Sequence, residues 1–333
     1  MFLIIKLRKL TVLFALLLFI GAAFSLPDMF SYTASAPSGS SEAAADIGPV
    51  AGPDIETPIG PVDEAPPEPL PETPDSNGFV TVRMDASDVF QGSLILINHE
   101  HSHEIPDEHG FVAISELKTP SYRVTRDSML LSPSVIGPLN DMMDAFYAET
   151  GSNSVTVISA FRDYEKQQEA LNDYIRLVGY NEALRWAASP GHSEHQAGLA
   201  VDFGVYSGGA LRTFLGTGTN AWIPRNAYKY GFILRYPDSK ADITGTAHEP
   251  WHFRYVGVPH AFVIYESGLC FEEYIEFLSG YTRDEPFHIF YESLEYEVYF
   301  TEDLNILVPF DCEFDISGNN INGFIVTIGV RES

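Results

Sequence analysis

The sequence predicts an α+β fold with a small β appendage at its C-terminal end. Three observations carry this. Apolar residues from Ser134 to Thr150 fall at three- and four-residue steps, and DYEKQQEALNDYIRLVG follows as a second helical stretch. VTVISAF, LAVDF and HFRYV read as short strands, the last two by alternation of apolar and polar residues. Beyond Gly280 the pattern turns wholly to strands, with HIFYESL, YEVYF, LNILVPF and FIVTIGV set apart by polar turns. A chain of 333 residues with 45% hydrophobic content can bury a sizeable core, and its length allows one or two domains.

Taken in order, residues 1–26 read as an export signal, because Lys6, Arg8 and Lys9 precede an apolar run from Leu10 to Phe24. The run is long for a signal-peptide core and slightly short for a spanning helix, so cleavage and retention both stay open. Ala34-Ser35-Ala36 resembles a cleavage site but lies well beyond the run, which favours a retained membrane anchor with the rest of the chain outside the cytoplasm. Residues 27–77 are rich in Pro and acidic residues and contain no Lys or Arg; such a segment cannot offset its ordering entropy and reads as a disordered linker.

Residues 78–133 form the predicted N-terminal β arm, with FVTVRM and SLILIN as its strands. His99, His101, His103 and His109 lie in this region. They make a rival metal site, although histidines in a polar loop are ordinarily just solvated. The main domain, 134–280, opens with a helix burying Ile136, Leu139, Met142, Met143, Phe146 and Tyr147. Asp163 suits the cap of the next helix and Gly179 its end. Arg162, at that strand-to-helix junction, projects into a cleft or pairs with a surface carboxylate. Residues 281–333 make the appendage. Cys270 and Cys312 are the two cysteines, and a disulfide between core and appendage and a pair of buried thiols are equally compatible with export.

The formal charge of −27 disfavours nucleic acid as a partner. Chemistry concentrates in GHSEHQAGLAVDF, where Leu199, Val201 and Phe203 share one face of a strand and Asp202 lies on the other. A carboxylate there needs a partner, since burying it alone is expensive. His195 is a natural one, and imidazole with carboxylate is a frequent zinc set, although a salt bridge or a hydrogen-bonded turn would also account for Asp202. HEPWH resembles the helical HExxH signature, but Pro250 pushes Glu249 toward extended backbone and HFRYV continues as a strand. In an extended segment His252 and Arg254 share a face, so His252 can be a ligand and Glu249 a base without His248.

SAFRDYEKQQ, PGHSEHQAGLAVDF and EPWHFRYVG together resemble the three signature blocks of the VanY-type D-alanyl-D-alanine carboxypeptidases, zinc peptidases that trim peptidoglycan stems. The likeness spans roughly Ser134 to Gly280. It implies a small zinc peptidase domain with a central antiparallel sheet flanked by helices. It further implies that His195, Asp202 and His252 bind one Zn²⁺, that Glu249 is the general base and that Arg162 contacts substrate near the scissile bond. Ser193 would help hold the terminal carboxylate, with Gln167 and Trp251 as further substrate-binding residues. His248 departs from the aromatic residue expected there.

The resulting expectation is an extracytoplasmic zinc D,D-carboxypeptidase, a monomer acting on peptidoglycan stem peptides and held at the membrane by its N-terminal anchor. The alternatives are an L,D-carboxypeptidase or an endopeptidase built on the same site, since the pocket walls decide between them, and a catalytically silent wall-binding protein.

Overall fold

The computed structural model describes residues 74–104 and 110–330; the segment read as an anchor, nearly all of the linker and His109 lie outside them. The chain passes through β1 (Phe79–Arg83), β2 (Val112–Ala113), α1 (Ile114–Leu117), β3 (Arg123–Val124), β4 (Leu130–Leu131), α2 (Pro133–Thr150), β5 (Val155–Ser159) and α3 (Tyr164–Val178). It continues with α4 (Tyr180–Ala183), β6 (Ala200–Ser207), β7 (Ala210–Thr213), α5 (Trp222–Asn226), β8 (Phe232–Leu234), α6 (Ala241–Thr244), β9 (His252–Tyr255), α7 (Val258–Ser267) and α8 (Phe271–Leu278). The last strands are β10 (Phe287–Tyr291), β11 (Leu294–Thr301), β12 (Asn305–Pro309), β13 (Glu313–Gly318) and β14 (Phe324–Val330).

A six-stranded sheet in the order β3-β5-β6-β9-β8, with β7 pairing the outer half of β6, forms the centre. Its pairings are antiparallel except β3 with β5. Val157, Val201, Phe203 and Phe253 belong to one face, and they are buried in a common core with Val135, Leu139, Met142, Met143 and Phe146 of α2. Fully burying side chains of this size stabilises by about 1.5–3 kcal/mol each, so this layer fixes how α2 lies on the sheet. The predicted helical stripe is therefore present apart from Tyr147, which is 46% exposed at its edge. Gly151, at φ 68°, ends α2. Asp163 caps α3 by accepting the Lys166 N–H at 2.8 Å, and Gly179, at φ 81°, terminates it, as predicted.

SLILIN departs from its expected strand. Leu94, Ile95, Leu96 and Ile97 are buried, but their neighbourhood supplies side-chain donors in place of a partner strand. Arg254 Nη2 donates to the carbonyls of Ser93 and Ile95, each at 2.9 Å, and Asn320 Nδ2 donates to that of Leu96 at 2.7 Å. β1 pairs instead with β12, antiparallel, tying the N-terminal segment to the C-terminal one.

The C-terminal sheet runs β10-β11-β14-β13. Ile289, Val298 and Ile325 pack with Phe271, Tyr274 and Ile275 of α8, while Tyr299, Phe324 and Val326 pack with Ile306 and Val308 of β12. No disulfide joins Cys270, the residue preceding α8, to Cys312. The appendage is fastened by apolar burial instead, and by one buried hydrogen-bonded ring.

That ring is His260 on α7, whose Nδ1 lies 2.8 Å from the Tyr274 hydroxyl and whose Nε2 lies 3.0 Å from the Thr327 hydroxyl. Burial pushes its pKa down from 6.5 to about 3. Below 6.5 the unfolded chain therefore binds a proton that the folded chain refuses, and the stability His260 supplies is complete above that value and drains away toward pH 3. His260→Leu should cost about 1–3 kcal/mol near neutral pH, by loss of the buried hydrogen bonds. The gap to wild type should narrow as acid is added. Urea denaturation of both proteins at about pH 7.5 and about pH 5 checks this, and a gap that widens in acid would contradict it.

Candidate metal centre

The face of the central sheet opposite α2 carries a row of polar residues. Residues directly opposite each other in antiparallel strands share a face, and Asp202 on β6 is opposite Ser159 on β5 and His252 on β9. Strand register alone thus sets a carboxylate beside an imidazole. The turn Glu194–Ala197 brings in His195 just before β6, and Gly198 makes the entry possible. Its φ of 65° and the Phe111 ring, which a Cβ would meet at 2.4 Å, both exclude a larger residue.

His195, Asp202 and His252 are all buried, and one potential ligand atom from each lies within 4.8 Å of the others. His195 Nδ1 is 2.8 Å from the carbonyl of Ala160, which can only accept, so Nδ1 carries the proton and Nε2 a lone pair. That Nε2 is buried without a hydrogen bond and stands 3.1 Å from Asp202 Oδ2. A lone pair facing a carboxylate oxygen in a buried site asks for a cation between them. Burial, followed by the Arg162 charge, pushes His195 down to about 4, so the ring itself stays neutral. His252 Nδ1 completes the set at 2.9 Å from Asp202 Oδ1. Burial works against the Asp202 charge, yet its carboxyl is held well below the usual range, with the His252 ring at Oδ1 as a partner that can donate to it. A neutral imidazole, a second imidazole and an ionised carboxylate are a donor set suited to Zn²⁺.

Glu249 is 5% exposed, and its carboxylate comes to 3.9 Å from His252 Nδ1 without joining the cluster. Burial, ahead of the opposing pull of His252, pushes its pKa up to about 8. Arg162 is fixed from three sides: Nε donates to Ser159 Oγ at 2.9 Å, Nη1 to Gln167 Oε1 at 3.0 Å and Nη2 to Asp202 Oδ2 at 3.0 Å. Gln167 is 1% exposed and stands behind Arg162 as its brace, with its amide donating to Ala188. Ser193 immediately precedes the His195 turn and is buried. Trp251 turns the other way and packs against the apolar core.

HEPWH is not a helix here, since β9 starts at His252 and the residues before it form a loop and turn. His248 Nδ1 donates to the Tyr236 carbonyl at 2.8 Å, outside the cluster. The histidine-rich tract is likewise taken up by structure: His101 hydrogen-bonds Asn98, and His192 donates to the Asn98 carbonyl at 2.8 Å. Among the described residues His99, His101 and His103 form no metal-type cluster. A separate cleft of about 1060 Å³, lined by His103, Ser132, Tyr255, Tyr296 and Asp315 among others, contains none of the cluster residues.

Sequence reasoning missed Glu194, Arg235 and Glu272. Glu194 is 1% exposed and accepts from Arg235, Arg254 and His252. Arg235 also forms a two-pronged pair with Glu272 of α8, at 2.8 and 2.6 Å. The one legible sign was the alternation placing Arg254 on the His252 face.

Two substitutions test the ligand set. Asp202→Ala should weaken metal binding by at least about 100-fold, whereas His248→Ala should bind one ion as wild type does. Metal analysis of both proteins, with folding checked by circular dichroism, distinguishes the strand-borne site from a helical HExxH pair; metal lost from His248→Ala alone would reverse the assignment.

Residues 128–258 match the VanY D-alanyl-D-alanine carboxypeptidase family. A D-alanyl-D-alanine carboxypeptidase of Enterococcus faecium is 30% identical over 247 residues, 72% of this chain and 76% of the relative. One from Enterococcus faecalis is 38% identical over 214 residues, 61% and 72% of the two chains. Among solved structures, the vancomycin-resistance D,D-dipeptidase VanXYg in complex with a D-Ala-D-Ala phosphinate analogue superposes with a TM-score of 0.67 at 31% identity, covering 76% of this chain and 99% of that one. The extent of these matches bears out the resemblance carried by the three motifs: the chain belongs to the VanY family of D-alanyl-D-alanine carboxypeptidases.

Proposed function

We propose that this protein is a zinc D-alanyl-D-alanine carboxypeptidase that removes the terminal D-Ala from peptidoglycan stem peptides. One observation carries the reading: the buried His195, Asp202 and His252 cluster, with an uncompensated lone pair on His195 Nε2 and the Glu249 carboxylate 3.9 Å from His252. His195 Nε2, Asp202 and His252 would hold Zn²⁺. When bound, the ion lowers the pKa of a water toward about 7 and polarises the scissile carbonyl.

The chain's own groups supply the rest. Glu249, within reach of the same space, takes the proton of the attacking water and returns it to the departing D-alanine amine. Arg162 uses three of its five N–H groups within the protein, so two remain for a substrate oxygen, and its braced plane loses little entropy on binding. Ser193 offers a hydroxyl at the rim of the same turn for the free terminal carboxylate. Gln167 acts through Arg162, and Trp251 through the packing that fixes the start of β9.

We propose further that the protein acts outside the cytoplasm as a monomer. Residues 1–26 anchor it and 27–77 serve as a spacer, on the charge and apolar pattern of those segments alone. Residues 134–280 make the catalytic domain, which 78–133 and 281–333 flank. No helix among the described residues is long and apolar enough to cross a membrane.

Mass spectrometry of synthetic stems should show loss of one D-Ala from the pentapeptide and no cleavage of the tetrapeptide; the opposite pattern would make it an L,D-carboxypeptidase, and no cleavage of either would make it an endopeptidase or a silent binder. Glu249→Gln should keep zinc and lose about 10²–10⁴-fold in kcat, because an amide cannot accept the proton. Arg162→Ala should lose about 10²–10³-fold in kcat/KM with zinc retained. A metal-free, unfolded Arg162→Ala protein would mark a purely structural arginine.

A further inference from the structure

We infer that Glu194 is the positioning residue of the metal centre, accepting the Nε2–H of His252 so that Nδ1 is the ligand atom and the ring plane is fixed. The inference rests on the metal site proposed above. His252 has a carboxylate at each nitrogen: Asp202 Oδ1 lies 2.9 Å from Nδ1 and Glu194 Oε2 lies 3.1 Å from Nε2. Asp202 belongs to the cluster and Glu194 does not. A cation seated against Asp202 and His195 therefore takes the place of the Nδ1 proton, and the Nε2 proton stays with Glu194.

The glutamate cannot turn away. Its Oε1 receives Arg235 Nε at 2.6 Å and Arg254 Nη1 at 2.9 Å, which leaves Oε2 aimed at the imidazole. Both guanidiniums are wholly buried, Arg235 against Glu272 and Arg254 against the Ser93 and Ile95 carbonyls. Two acids and two guanidiniums thus balance within one buried group. Such a group is often no more stabilising than apolar packing of the same volume, so its presence in a core calls for a role other than stability. Its side chains meet the metal cluster at the His252 Nε2–H. The two histidines are then set by different devices: a backbone carbonyl fixes His195 for ligation through Nε2, and a side-chain carboxylate fixes His252 for ligation through Nδ1.

The test uses the full chain, with zinc affinity measured by chelator competition and the imidazole nitrogens followed by ¹H–¹⁵N correlation in the zinc-loaded protein. In wild type, His252 should show a protonated Nε2 in slow exchange and a metal-bound Nδ1, with His195 showing the reverse. Glu194→Gln should weaken zinc binding about 10–100-fold and lose the slowly exchanging His252 Nε2 proton, with the His195 pattern unchanged. His260→Leu, whose ring hydrogen-bonds Tyr274 and Thr327 and neither Glu194 nor a cluster residue, serves as the control for general destabilisation and should leave zinc affinity and the His252 signals as in wild type. Wild-type ligation of His252 through Nε2, wild-type affinity in Glu194→Gln, or an equal affinity loss in His260→Leu would each overturn the inference. Should Glu194→Gln fail to fold, the wild-type nitrogen pattern still decides. Failure of wild type to bind zinc at all would instead remove the metal-site reading on which the inference stands.

Discussion

A charged carboxylate held at the middle of a sheet governs this site. Removing an ion such as Asp202 from water costs several kcal/mol even after relaxation, so the surroundings must return that energy through specific partners. They do so because β6 is the inner strand between β5 and β9, which lets Arg162 from the end of one neighbour and His252 from the other converge on the same carboxylate. The opposite face of these strands stays apolar and seats α2. One sheet thereby separates core from chemistry, and the register that pairs Asp202 with His252 cannot slip by one residue without exchanging the two faces.

The second layer of support comes from well outside the stretch matched to the family. The matched region, 128–258, contains His195, Asp202, His252, Arg235 and Arg254, but Glu272 lies beyond it and the Ser93 and Ile95 carbonyls lie before it. The segment Ser93–Ile97 and helix α8 are consequently more than decoration around a catalytic unit. They satisfy guanidinium protons that would otherwise be buried without acceptors, a loss of about 1–3 kcal/mol or more per group. The C-terminal sheet, sharing a core with α8, in turn holds that helix in place.

What the sequence made legible was local. The spacing of Ile136, Leu139, Met142, Met143 and Phe146 encodes α2, and Asp163 and Gly179 mark the ends of α3, because periodicity and caps depend on neighbours in the chain. Alternation placed Asp202 away from the apolar face and His252 with Arg254, and Pro250 told against a helical HExxH pair. Illegible features were those decided by distant partners. SLILIN has the composition of a strand, yet Arg254 and Asn320 take the carbonyls a neighbouring strand would have used. Glu194 looks like any polar loop residue until Arg235, 41 positions away, and Arg254, 60 positions away, close around it. Gln167 carries a polar side chain suited to a pocket, and nothing in its own segment reveals that Ala188 and Arg162 consume it.

Two buried glutamates within this one site show how environment divides labour between identical side chains. Burial acts to raise both, but Arg235 and Arg254 hold the Glu194 carboxyl far below its ordinary range, whereas burial prevails at Glu249 and its pKa rises to about 8. The orienting role proposed for Glu194 needs a lasting charge, and two guanidiniums favour it. The general base proposed for the reaction needs the contrary property, an affinity for protons near the working pH, and among the described residues no arginine hydrogen-bonds the Glu249 carboxylate to suppress it. A divalent ion seated against Asp202 would draw Glu249 down from that elevated value and so toward the range in which it can both take a proton and give it back.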